Sequence, residues 1–87
     1  MRFVFTHSHV FPGSRVTLHE DTSAEPSPAC LVEFSDGVTV IGEWHRDGPE
    51  IALDIPGYRT ARNHTVTARR WRLRKSADGG WRSYPGS

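Results

Sequence analysis

The residues best suited to chemistry in this chain are cationic and aromatic. Arg70, Arg72 and Arg74 recur at every second position, the period that puts side chains on one face of a β-strand. Arg59 and Arg62 stand upstream, in a segment (residues 58–64) that also holds Tyr58, Thr60, Asn63 and His64. Trp81 and Tyr84 follow near the C-terminus. Guanidinium groups mixed with aromatic faces hold single-stranded nucleic acid by phosphate contact and base stacking. The candidate nucleic-acid or anion site is therefore Arg59, Arg62, Arg70, Arg72 and Arg74, with Tyr58 and Trp81 as stacking platforms and Tyr84 nearby. The competing arrangement is an ion-paired sheet face, in which cross-strand carboxylates neutralise the arginines. No base-reading motif accompanies them, so the signal is chemical and not specific to any one fold.

Two further constellations are weaker. His7 and His9 share one face of a strand, and if Phe11 pairs with Arg15, His19 lies opposite His7. Three neutral imidazoles make His7, His9 and His19 weak candidates for zinc or another borderline metal. No carboxylate or cysteine stands at a supporting spacing, and neither a metal nor another cofactor is expected. The 58–64 segment itself offers a pocket for an anionic small molecule, as ligand or substrate. The chain has no nucleophile elbow, zinc-protease helix, paired cysteines or phosphate-cradling glycine loop. Binding is thus expected over catalysis.

The net charge of +1 conceals an asymmetry. Residues 1–55 carry three basic groups (Arg2, Arg15, Arg46) against nine acidic ones; residues 56–87 carry eight basic groups against one acidic, Asp78. Such a division points either to an anionic partner or to a basic strand lying beside an acidic one.

The elements that must position these residues are strands. Residues 31–55 contain two Asp-Gly turn signals separating three runs rich in β-branched and aromatic residues, which predicts a three-strand antiparallel meander. A three-residue loop at Ser35, Asp36 and Gly37 sets Phe34 opposite Val38 and Val32 opposite Val40. A second loop over residues 46–49 sets Trp44 opposite Ile51 and Val40 opposite Ile55. One face then carries Val32, Phe34, Val38, Val40, Trp44, Ile51, Leu53 and Ile55. The other is polar (Glu33, Thr39, Glu43, Asp54) apart from Ala52 and two large apolar residues, Leu31 and Ile41. Those two form either a dimer seam or the seat of an N-terminal hairpin folded over them. Gly42 interrupts the middle strand and marks a bend, a bulge or a close approach of another backbone, a sharp bend being the expected use in a small barrel.

Residues 65–74 read as a fourth, basic strand with a change of parity. Val66 and Ala68 share one face, Trp71 and Leu73 the other, and a β-bulge near Arg69 and Arg70 would bring all four inward. The expected organisation of the 87 residues is one domain: an N-terminal hairpin (1–19), a flexible connector (20–28), the meander with the basic strand (29–74), and a C-terminal turn with a short edge strand or tail (75–87). The expected fold is all-β, a small antiparallel sheet curled into a partly open barrel of SH3-like or OB-like size. One cysteine excludes an intrachain disulfide, and Cys30 shares the parity of Val32, as a small buried hydrophobe would. The first residues lack the long apolar stretch of a signal peptide, and no apolar run reaches membrane-spanning length. The use of arginine over lysine (Lys75 is the sole lysine) suits a GC-rich bacterial genome, and a cytoplasmic location without membrane contact is expected. The functional expectation is an anion- or nucleic-acid-binding module. A protein–protein or homodimerisation module, and a small-ligand pocket at residues 58–64, are the alternatives.

Overall fold

The computed structural model describes residues 1–20 and 27–86. Among the described residues nine strands form: β1 (Arg2–Phe5), β2 (Ser14–His19), β3 (Ala29–Glu33), β4 (Thr39–Asp47), β5 (Glu50–Ile55), β6 (Tyr58–Arg59), β7 (Thr65–Val66), β8 (Arg69–Lys75) and β9 (Trp81–Pro85). Seven of them close into a barrel in the order β1-β2-β9-β8-β5-β4-β3, and β6 pairs with β7 in a separate hairpin. All neighbours in the barrel are antiparallel except β1 and β3, whose parallel pairing (Phe3 beside Val32) closes the ring. The all-β barrel expected from the sequence is present, but it is closed rather than partly open, so β9 lies between β2 and β8 instead of forming an edge or tail. Closure leaves no long free edge on the barrel wall. Of the connector, residues 21–26 lie outside the described residues. Its far end is anchored, because Pro28 O accepts the Trp44 N–H at 2.9 Å and Ser27 O accepts the indole N–H of Trp44 at 2.9 Å.

Alternation decides what points inward. Phe3, Phe5, Val16, Cys30, Val32, Ile51, Leu53, Ile55, Trp71 and Leu73 fill the interior, joined by Phe34 and Tyr58 at one end. Cys30 is buried there, and burial pushes its thiol up to about 11, as suits a packing residue rather than a reactive one. The β3–β4 turn has the predicted register. Val32 faces Val40, the Gly37 N–H donates to Phe34 O, and Gly37 sits at φ 90°. At Gly42 the glycine is required by proximity. A methyl group there would stand 2.7 Å from the Asp54 carbonyl oxygen.

Four expectations need correction. Trp44 faces Leu53 rather than Ile51, because the β4–β5 turn is only two residues, Gly48 and Pro49, and pairing continues out to Asp47 beside Glu50. The shift of two residues preserves the faces, and the longer ladder carries Asp47 and Glu50 within reach of Arg72. Trp44 is consequently half-buried at the rim instead of fully in the core. The predicted strand over residues 65–74 is broken at Thr67 and Ala68, and no bulge is needed at Arg69 and Arg70. β7 belongs to the hairpin and β8 to the barrel, so the break absorbs the change of parity and leaves Ala68 exposed. The 58–64 segment, read as a loop, begins in β6 and turns back into β7 through Asn63 at φ 65°. Finally, β1 ends at Phe5 rather than running to Phe11, and it lies beside β3 rather than over its outer face. Ile41 is thus left 64% exposed next to half-buried Leu31.

Two substitutions test this architecture. Gly37→Val forces a β-branched residue into a left-handed conformation and is expected to cost about 1 kcal/mol or more. Gly42→Ala sets a methyl against a backbone oxygen that cannot move without disturbing β5, and should cost about 1–3 kcal/mol. Urea melts measure both, and an unchanged midpoint for Gly42→Ala would contradict the close approach of β4 to Asp54.

Candidate anion-binding site

Antiparallel pairing of β5 with β8 sets Asp54 beside Arg70 and Ala52 beside Arg72. From those positions the arginines reach carboxylates. Arg70 grips Asp54 through two bonds, Nε at 2.8 Å and Nη2 at 3.1 Å. Arg72 Nη1 lies 2.6 Å from Asp47 and 3.5 Å from Glu50, and Arg74 bonds the other oxygen of Glu50. The hydrogen bonds from Arg72 and Arg70, followed by their charge, hold the Asp47 and Asp54 carboxyls below the usual 3.8. The same bonds raise Arg70 and Arg72 further. Arg70, Arg72 and Arg74 do share the outer face, as their spacing predicts, but as one side of a ladder of ion pairs.

The aromatic residues are also committed. Tyr58 is a core residue, stacked on Phe34 at 4.5 Å, which in turn stacks on Phe5 at 5.7 Å. It is no surface platform for a base. Trp81 is half-buried against the core with the Lys75 ammonium 5.9 Å from its ring, and Tyr84 lies under Arg74 at 5.0 Å. The histidine cluster does not form. His19 pairs with Arg2, in the register that turns Phe3 and Phe5 inward, while the rings of His7 and His9 pack on Phe11 at 4.6 and 5.7 Å. Among the described residues no group of three or more His, Cys, Asp or Glu is placed to hold a metal ion.

Three further arginines, Arg59, Arg62 and Arg69, lie at or beside the β6–β7 hairpin. Arg59 donates to the Asn63 side chain at 2.9 Å, and neither Arg59, Arg62 nor Arg69 has a carboxylate partner among the described residues. A cleft of about 700 Å³ opens here, lined by Ser8, His9, Ser35, Asp36, Thr60, Arg62, His64 and Val66. Asp36 builds it. Its Oδ2 accepts the Ala61 N–H at 2.9 Å and its Oδ1 the Val38 N–H at 3.2 Å, so the β3–β4 turn is latched to the tip of the hairpin. These amides, Ala61 first, lower the Asp36 carboxyl from 3.8. Thr60 Oγ1 accepts the His64 N–H at 3.2 Å and shapes the hairpin turn.

Sequence reasoning grouped Arg59 and Arg62 with the β8 arginines and placed His64 in a pocket of the 58–64 segment; in the structure Arg62 and His64 line the cleft, apart from the ion-paired face of β8. The same reasoning missed Asp36 as the latch and Arg69 as a cation without a carboxylate. No local signal marks either, because both roles depend on how the hairpin docks. No family model matches the chain, and neither a curated protein nor a solved structure does.

The depressed carboxyls make stability pH-dependent. An aspartate whose value is lower in the folded than in the unfolded chain adds stability above its unfolded value, about 3.9, and loses it as pH falls through the folded value. Asp36, Asp47, Asp54 and Asp78 all shift in this direction. The urea midpoint should hold steady from neutrality to about pH 5 and fall below about pH 4. Replacing Asp47 and Asp54 with Asn should lower the neutral midpoint and flatten the acid limb; a parallel downward shift would show that these pairs do not titrate with folding.

Proposed function

We propose that the protein is a binding module for an anion, seated in the cleft lined by Arg62, His9, His64, Ser8, Ser35 and Thr60 rather than along the basic strand. One observation carries this reading: Arg70, Arg72 and Arg74 are matched to carboxylates, whereas Arg62 pairs with none among the described residues, and the one carboxylate lining its cleft, Asp36, is engaged by the Ala61 and Val38 amides. The chemistry suits a phosphate group, because a guanidinium offers paired donors to its oxygens and hydroxyls and imidazoles supply more. The cleft contains Ser, His and Asp, but both oxygens of Asp36 are taken by backbone amides. No carboxylate there orients an imidazole as a nucleophile relay requires, which favours binding over catalysis.

The test is titration with inorganic phosphate, followed by amide chemical shifts at low salt. Shifts should localise to residues 8–9, 35–36 and 60–64, and Arg62→Ala should abolish them while Arg70→Ala with Arg72→Ala leaves them intact. A labelled single-stranded oligonucleotide, read by anisotropy across salt concentrations, tests a nucleic-acid partner. There Arg62→Ala should flatten the salt dependence by roughly 0.7, the value of one phosphate contact on a single strand. If the strand double variant weakens binding as much as Arg62→Ala, the cleft is not the site.

Self-association through the outer face of the meander is a second reading, favoured by the exposure of Ile41 beside Leu31. Sedimentation of the wild type and of Ile41→Glu distinguishes it. A dimer that Ile41→Glu dissociates supports this surface, and a monomer at all concentrations eliminates it.

A further inference from the structure

A separate cavity lies on the inner side of the same hairpin. It measures about 260 Å³, and its walls include Val10, Ile55, Tyr58, Val66, Trp71 and Arg69. It shares only Val66 with the polar cleft. Its lining is mixed: apolar and aromatic side chains stand beside Thr65 and Thr67, and Arg69 is its one charged wall residue. We propose that this cavity binds a small organic acid with a single aromatic ring, the ring lying among Trp71, Ile55, Val10 and Val66 and the carboxylate meeting Arg69.

Size sets the class. A dry engineered cavity of about 150 Å³ accommodates benzene, so about 260 Å³ has room for one ring with a short substituent. Charge sets the substituent. The Arg69 guanidinium has no carboxylate partner among the described residues and stands 6.0 Å from the centroid of the Trp71 ring, at the edge of the cavity. An anion meeting it would complete a charge-assisted hydrogen bond beside an aromatic wall. Two aromatic faces favour a ring over an aliphatic body, since aromatic pairs gain from edge and offset contacts beyond the area they bury.

One buried polar group belongs to a wall residue of the cavity. The Tyr58 hydroxyl is buried and makes no well-formed hydrogen bond, although the Val10 backbone bears on it. It lies toward Val10, also a wall of the cavity, and burial, with Asp36 adding, pushes it up to about 12. It therefore stays protonated at neutral pH as a donor.

The test uses phenylacetate, its neutral counterpart phenylacetamide, and cyclohexylacetate. Binding is followed by the Trp71 indole N–H and backbone amide signals of the full chain. Phenylacetate should shift the Trp71 indole and the Val10 and Val66 amides saturably in the millimolar range, as suits a ligand of this size. Phenylacetamide should bind at least about tenfold more weakly, and Arg69→Gln should lose about tenfold for phenylacetate while keeping a dispersed, folded spectrum. Because Val66→Phe fills the cavity from the hairpin side, it should also abolish the shifts. No saturable shift, or equal binding of phenylacetate and phenylacetamide, overturns the proposal. So does equal binding to Arg69→Gln, or phenylacetate shifts confined to His9 and His64. Cyclohexylacetate binding as tightly as phenylacetate overturns the aromatic assignment.

Discussion

The register between β5 and β8 governs the electrostatics of this molecule. It sets an acidic strand against a basic one, with Asp54 directly across from Arg70 and Glu50 between Arg72 and Arg74. The two halves of the sequence, oppositely charged, meet on one wall and neutralise each other there. The pairs lie at the surface, exposed or half-buried, and are of modest worth for stability. Their larger consequence is for function, since three of the arginines that would attract an anion already hold one from this chain. Arg59, Arg62 and Arg69 remain without carboxylates, and all three lie at or beside the β6–β7 hairpin.

That hairpin does not stand on its own pairing, which joins Tyr58 to Val66 and Arg59 to Thr65. An isolated hairpin of this kind is at best marginal in water. Two anchors hold it to the barrel: the ring stack Phe5–Phe34–Tyr58 from inside, and the Asp36 carboxylate on Ala61 from outside. A short irregular element carried on a closed barrel is the usual place for a binding site, because the scaffold fixes its ends and leaves its side chains free.

How much of this was legible follows from the range of the interactions involved. The β3–β4 turn and its glycine were readable because turn chemistry is local. The inward and outward faces were readable too, since period 2 survives a register shift of two residues, and for the same reason the pairing of Trp44 was misread: Ile51 and Leu53 lie on the same face. The histidine cluster depended on a register that the sequence left open, and the inward turn of Phe3 and Phe5 decided it. The hairpin was invisible because strands of two residues have no period, and Tyr58 owes its burial to rings more than twenty residues away. The charge asymmetry was plain in the sequence, but it fitted a free basic face and a paired one equally well, and only the position of Asp54 beside Arg70 separates them.

The division of labour among aromatic residues follows from the same geometry. Phe34 lines neither the cleft nor the cavity, yet it is the middle ring of the stack that seats Tyr58. Tyr58 in turn walls the cavity, and its chain neighbours continue into the hairpin whose Arg62 lines the cleft. Removing the Phe34 ring would leave the carboxylate of Asp36 as the remaining anchor, and that anchor weakens when protonated. Core packing and the shape of the cleft and the cavity are therefore not separable at this end of the barrel, where Ile55 and Trp71 carry the β5–β8 wall into the cavity.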